Sequence, residues 1–445
     1  PPPPPPPPTL FFLMIRRPPR STLDRESAAS DVYKRQMWAE ANARRGGIID
    51  YEAVPPPEIR MLGDIMRENG YYCTNNSKTD YQFEKSVMAW DESSNNAHWK
   101  NRNNRQPFFS VFNFGICHES GIWRMNNDSI LVDKSKIKIP SYFPENDIIR
   151  HDMAVNFSNL IRADRQVSDL INELKSSGEY DNTYIFFYAD HGGTLPRHKT
   201  AIYETGTKDP LIIKPPKGVE IDNNPLDLLS FIDLAPTVLS IAGIDIPNHI
   251  QGTAFLGDQK RESPKLLFSG SDRFDEQVDR LRAVFDGQYK YIKSYDTSKP
   301  HAIPVTYRLQ MPMMQELLKL LKEDKLNEKQ KLWFNTPKPS EEFYDLKNDI
   351  QTPLKIHPVV AEDQGLRKFS TQKAFKKLEY LYQNLPTRSA FHCVSFSNAI
   401  LNHQKIDIYS VIGNEYQRDY KKNKGLSTQE RLSAVDLTNQ LPNQF

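Results

Sequence analysis

Apolar and polar positions follow two different periods along this chain. Short uncharged runs read as buried strands: Tyr184–Tyr188 (YIFFY), Pro107–Phe114 (PFFSVFNF), Tyr71–Thr74 and Leu211–Ile213. Helical spacing alternates with them. Ile59, Leu62, Ile65 and Met66 predict a helix over Glu58–Glu68, ended by Gly70. Phe157, Leu160, Ile161, Val167, Leu170, Ile171 and Leu174 predict a long amphipathic helix over Asp152–Ser176, with Ile137–Asp147 as a proline-containing loop before it. A further helix starts at Asp233. Strand, helix, strand in this order predicts an α/β fold with a mostly parallel sheet sandwiched by helices. The pattern changes from about Pro264. Leu266–Phe268 and the stretch Arg282–Lys293, with Asp286-Gly287 at its turn, read as β-structure. Met314–Phe334 reads as helix and Glu342–Leu346 as a short apolar segment, together a small C-terminal α+β subdomain.

Composition narrows the function classes. The 445 residues carry 58 Lys and Arg against 56 Asp and Glu, so no general nucleic-acid or membrane-surface role is implied. No run of about 18 apolar residues is present, which excludes an evident membrane-spanning helix. Cys73, Cys117 and Cys393 are too few and too scattered for a disulfide framework or zinc knuckle. Residues 1–36 stand apart: an octaproline, then TLFFLMIRRPPRST and SAASDVYKRQ. This resembles translated sequencing-adapter read-through, and its Pro- and Arg-rich composition predicts a disordered leader. As a signal peptide it fails, because the apolar run Leu10–Ile15 is short and its arginines follow it.

The candidate chemistry lies where the Tyr184 strand ends. Asp190-His191-Gly192-Gly193 sets an oxygen and a nitrogen ligand side by side, and the glycines permit a sharp turn and a close approach to a ligand. Arg197, His198 and Lys199 bring positive charge to the same turn. An ion held by Asp190 and His191, with an ammonium nearby, suits a tetrahedral anion. Taken alone, Asp190 is as well read as a helix cap and His191 as an ordinary loop histidine. His118 and Asp190 both sit just past predicted strand ends, where chemistry gathers in parallel sheets, so one site can use both.

The string from Asp181-Asn182-Thr183 through Asp190-His191-Gly192, Lys199, Tyr203-Glu204 and Gly206 to Pro210–Ile213 resembles the metal-and-lysine segment of the sulfatases, in the alkaline phosphatase-like superfamily. It looks closest to the heparan N-sulfatase-like branch. The resemblance implies hydrolysis of a sulfate ester on a sulfated glycan, with a formylglycine hydrate as nucleophile and a calcium ion. It carries Asp190 and His191 onto metal ligands, Lys199 onto the lysine that grips sulfate, His118 onto the histidine near the leaving group and Lys78 onto the earlier active-site lysine. An unperturbed imidazole pKa of about 6.5 suits His118 to donate a proton near neutrality. Arg273, in SGSDRFDE, resembles a position near the substrate mouth, where a guanidinium grips a sulfate or carboxylate in bidentate fashion. The implied setting is export to the periplasm, the extracellular space or the lysosome.

Two family features are missing. No Asp-Asp pair occurs, and no cysteine or serine begins (Cys/Ser)-x-Pro-x-Arg; the nearest match, Asn384–Arg388, has Asn at the nucleophile position. In the family both lie N-terminal to everything preserved here. The expectation is therefore a fold incomplete at its N-terminus: leader 1–36, partial catalytic domain 37–263, C-terminal subdomain 264–353 and a divergent tail 354–445. Such a chain is expected to show no turnover. Two alternatives stay open. One is a metal-dependent phosphoesterase of the same superfamily; the other is a non-catalytic glycan-binding homologue.

Overall fold

The computed structural model describes residues 9–15, 59–78, 88–221, 228–250, 252–274 and 277–346. The tail 354–445, with Asn384–Arg388, lies outside them.

A six-stranded sheet forms the centre, in the order β3-β2-β4-β1-β5-β6. Its strands are β1 (Thr9–Ile15), β2 (Tyr72–Asn76), β3 (Glu92–Ser93), β4 (Phe108–Phe114), β5 (Thr183–Ala189) and β6 (Leu211–Lys214). All neighbours pair in parallel except β5 with β6, an antiparallel edge strand. The helices of six or more residues are α1 (Leu62–Glu68), α2 (Glu119–Arg124), α3 (Asp147–Ser176), α4 (Leu234–Ile241) and α5 (Pro312–Lys322). A four-stranded antiparallel sheet follows, in the order β10-β9-β8-β7, from β7 (Leu267–Phe274), β8 (Gln277–Phe285), β9 (Tyr289–Ser294) and β10 (Glu341–Asp345).

The period of two in β4 explains the sandwich. Phe109 and Val111 join Phe186 and Tyr188 of β5 in a core with Leu62, Ile65 and Met66 of α1 and Val238 and Leu239 of α4. Phe108, Phe112 and Phe114 point to the opposite face, where Trp99 and the Leu174 end of α3 cover them. Both faces are buried, so the strand is mostly apolar, as central parallel strands are, and its Ser110 and Asn113 hydrogen-bond to β2.

The leader expectation is corrected at one place. Thr9–Ile15 forms β1 in the middle of the sheet, with Leu10 to Ile15 in register with Phe109 to Phe114 and Thr9 to Ile15 in register with Thr183 to Ala189. The uncharged apolar run Leu10–Ile15 suits a central position between two parallel strands. Without it, β4 and β5 would each leave a row of backbone groups unpaired inside the sheet.

Two further differences are local. Helix α3 begins at Asp147, not Asp152, because the Asn146 side chain accepts from the Ile149 N–H at 3.0 Å and caps it there. Its apolar stripe also turns along its 30 residues. Ile149, Met153 and Ala154 pack with Met311, Met313, Met314 and Leu317 near α5, whereas Val167, Leu170, Ile171 and Leu174 pack on the sheet. Phe157, expected on the buried side, is 37 % exposed. The region Met314–Phe334 is not one helix: α5 ends at Lys322, and a separate turn spans Glu328–Lys331.

Candidate active site

Strands β2, β4, β1 and β5 run in parallel, so their carboxyl ends share one pole of the sheet. Lys78 follows β2, His118 follows β4, and Asp190-His191 follow β5. With about 4.8 Å between neighbouring strands, the ends of β4 and β5 lie roughly 10 Å apart across β1. That gap fits a small anion with its counter-ion.

His118 caps α2. Its Nδ1 accepts the Ser120 N–H at 3.1 Å, so the proton of the neutral ring belongs on Nε2. The Tyr307 hydroxyl lies 3.3 Å from both ring nitrogens. Asp190 is 4 % exposed. His191 donates from Nδ1 to its neighbour's carbonyl, Gly192 O, at 2.8 Å, which leaves Nε2 as the ligating nitrogen. That Nε2 is 3.8 Å from Asp190 Oδ1. Two ligands of one cation, each about 2.0–2.6 Å from it, stand at about that separation.

The pair does not make a calcium site by itself. Calcium takes about six to eight oxygen ligands. Among the described residues no group of three or more His, Cys, Asp or Glu side chains is placed to hold a metal. In sequence β1 is followed by Arg16 and Arg17, whose side chains carry no oxygen.

The two glycines serve a close approach, but not the expected one to a ligand. A Cβ on Gly192 would stand 2.0 Å from Thr205 O, and one on Gly193 would stand 1.7 Å from the His198 ring. Gly193 accepts the Lys199 N–H at 3.0 Å and donates to Thr205 O at 2.8 Å, so the loop closes on itself. Thr194 Oγ1 donates to Asn156 Oδ1 at 2.6 Å, which ties the loop to α3.

Of the three cations expected at this turn, two face elsewhere. Arg197, at φ 67°, sets its guanidinium about 5 Å from the rings of Tyr142 and Tyr203. His198 Nε2 is 3.0 Å from the Tyr142 hydroxyl. Lys199 reaches the pole: Nζ donates to Glu119 Oε1 at 3.0 Å, and the two side chains are 4 % and 3 % exposed. Arg308 completes this cluster. Its Nε is 3.6 Å from Glu119 Oε2, and its Nη2 donates to Lys199 O at 3.1 Å.

The structure thus brings Lys78, His118, Asp190, His191 and Lys199 to one pole. Lys78 is 3 % exposed and its carbonyl accepts from Asn75 Nδ2. Arg273 is on β7, paired with Val278 beside a register shift. Its side chain falls outside the described residues. Glu119, Tyr307 and Arg308 were missed. Glu119 is the residue after His118 and was open to notice; Tyr307 lies 189 residues away in sequence, and no local pattern joins the two. A separate open cleft of about 660 Å³ lies between α3 and α5, lined by Arg150, His151, Asp152, Pro312 and Glu316. It contains none of these groups.

Residues 66–244 match the family model described as Sulfatase, and residues 197–304 match that of N-sulphoglucosamine sulphohydrolase, C-terminal. Over 367 residues the chain is 41% identical to an ulvan-active sulfatase of Formosa agariphila. That match takes in 75% of this chain and 62% of the relative, less than two thirds of its length. A solved 2-O GAG sulfatase shares the fold with TM-score 0.53 at 15% identity, over 84% of this chain and 92% of that one. A phosphonate monoester hydrolase from Silicibacter pomeroyi gives 0.51 at 14% identity, over 86% and 96%. At such identities the likeness speaks for the fold alone. The Sulfatase match starts inside α1 and ends just beyond α4, so it takes in every strand end that forms the pole except that of β1. Residues 66–244 thus form a sulfatase-family domain, and the likeness to a sulfatase takes in 75% of the chain.

Proposed function

We propose that this pole holds the sulfate group of a sulfated glycan, and that the 445-residue chain binds such a group without hydrolysing it. One observation supports the reading above others: three parallel strands and one loop deliver two buried lysines, a histidine and an Asp-His pair to a single strand-end pole. Lys199 is held at Glu119 as a fixed ammonium, and Lys78 supplies a second buried cation after β2. Such preplaced charges stabilise a tetrahedral anion without reorganising. His118 carries its ring proton on Nε2, a hydrogen-bond donor for a sulfate oxygen at the same pole.

The family cofactor, a calcium ion, would neutralise sulfate oxygens when bound, with Asp190 and His191 as two of its ligands. The described donors fall short of its shell. The formylglycine nucleophile would need a (Cys/Ser)-x-Pro-x-Arg motif that this chain does not contain. No catalytic step is assigned to either. The proposed setting is outside the cytoplasm, where sulfated glycans occur. Among the described residues no helix is long and apolar enough to cross a membrane.

Two assays test the reading. Calorimetric titration with inorganic sulfate is expected to show saturable binding that Lys199→Ala abolishes. Incubation with an aryl sulfate, with and without calcium, is expected to release no sulfate. Unaltered heats in the variant would remove the first half of the proposal, and calcium-dependent turnover would remove the second. A phosphoesterase reading predicts a preference for phosphate esters in the same titration.

A further inference from the structure

The groups above account for an anion but not for the sugar that carries it. Beside them stands a pair of half-buried aromatic rings. Trp123 lies on α2, four residues after Glu119 and so on the same side of that helix. Its ring is 5.0 Å from that of Tyr307 at an interplanar angle of 74°. Tyr307 in turn stands 5.6 Å from the His118 ring, with its hydroxyl 3.3 Å from both imidazole nitrogens. The next residue, Arg308, is buried and holds both Glu119 and the Lys199 carbonyl. The aromatic pair is therefore anchored to the same residues that fix the lysine.

Two rings at near right angles form a corner, not a closed stack. The flanking residues Arg124, Pro304, Thr306 and Gln310 are exposed, so the corner lies at the surface. Core aromatics are normally covered, and these two are only partly so, with Trp123 packed against the cluster that includes Met311, Met313 and Met314. A pyranose has one face of axial C–H groups and a polar rim. Its C–H face meets the electron-rich face of an indole or phenol, and its hydroxyls meet the polar edges. Ligand sites of this kind join an apolar wall to a few placed polar groups.

We propose that Trp123 and Tyr307 form the sugar platform of this site: a pyranose ring seats on the corner while its sulfate reaches toward Lys199. The proposal rests on the sulfate-holding reading and extends it to the ring that bears the sulfate. Tyr307 has a second part, because its hydroxyl lies where it can bond a ring substituent beside His118. The two residues then select a sulfated pyranoside over a bare anion.

The test compares inorganic sulfate with glucosamine 6-sulfate, by calorimetry, on the full chain. Trp123→Leu keeps apolar bulk against the Met311–Met314 cluster but removes the aromatic face. It is expected to weaken the sulfated sugar roughly tenfold and leave inorganic sulfate within twofold. Tyr307→Phe keeps the ring and removes the hydroxyl, and is expected to cost the sugar a few-fold only. A thermal melt of each variant confirms that it folds. Equal affinity for the sugar in wild type and Trp123→Leu would overturn the platform, as would a parallel loss for both ligands. Failure of the wild type to bind inorganic sulfate would instead overturn the sulfate-holding reading beneath it.

Discussion

Buried charge is arranged differently in the two halves of the molecule. At the strand-end pole of the parallel sheet, one carboxylate, Glu119, is shared by two cations, Lys199 and Arg308. Around the antiparallel sheet, three pairs each set one basic side chain against one carboxylate. Lys338 pairs with Asp279 at 2.5 Å, Lys290 with Glu204 at 2.8 Å and His301 with Glu342 at 2.8 Å. Burial pushes the Lys290 ammonium below its ordinary range, and Glu204 offsets part of that. One-to-one pairs fasten pieces together: Lys290 ties β9 to the turn Glu204–Thr207, and Glu342 of β10 accepts the Tyr203 hydroxyl at 3.1 Å. The shared carboxylate holds the ends of two long side chains where a guest anion would meet them. The loop Asp190–Thr207 is gripped from both sides, with the strand-end pole on one and the fasteners on the other.

Removing the shared carboxylate should have the largest effect. Glu119→Ala leaves Lys199 and Arg308 buried without it, and is expected to cost about 3–5 kcal/mol in urea unfolding. Inorganic sulfate should restore much of that loss. Lys338→Met is expected to cost a similar amount, about 3–5 kcal/mol, with no recovery in sulfate, because its pair is a fastener. Rescue of both variants, or of neither, would erase the distinction drawn here.

Next comes a pH effect. Burial pushes the Asp152 carboxyl up to about 6, offset in part by hydrogen bonds from the Met313 N–H and Asn126. A carboxyl raised in the folded state contributes stability that is full below its unfolded value near 3.8 and is lost as pH rises through about 6. The stability of the wild type relative to Asp152→Asn should therefore fall by up to about 3 kcal/mol between pH 4 and 7. Paired melts across that range measure it; a flat difference would show that Asp152 keeps its unfolded affinity for protons. Asp152 joins α3 to α5 through the Met313 N–H, so this change should leave sulfate affinity alone.

The smallest expected effect is at a fastener. Glu342→Gln keeps the shape but weakens bonds to Tyr203, Tyr344 and His301, and should cost about 1–3 kcal/mol. Sulfate affinity should stay within a few-fold of wild type, since Glu342 reaches Lys199 through Tyr203 and its loop. A larger change would place the fasteners at the centre of the site.

Much of this was legible in the chain itself. The uncharged Tyr184–Tyr188 run, the Asp286-Gly287 turn and the Asp-His-Gly-Gly string all act locally, so their patterns carry their structures. The start of α3 was hidden because its capping turn and buried face use polar residues, Asn146, Asp152, Asn156 and Asn159, which break an apolar period. The role of Thr9–Ile15 was hidden for a different reason. Its apolar run is visible, but the slot that receives it is made by strands about 100 and 175 residues further on. Tyr307 and Arg308 reach His118 and Lys199 through the tertiary fold alone, so no spacing rule marks them.

One measurement bears most directly on the central claim: a crystal structure of the chain grown with selenate, a sulfate isostere that its anomalous signal locates. The account predicts the anion at the carboxyl ends of β4, β1 and β5, within hydrogen-bond reach of Lys199 Nζ. Selenate found only on other faces, with Lys199 still closed on Glu119 and no anion beside it, would contradict it.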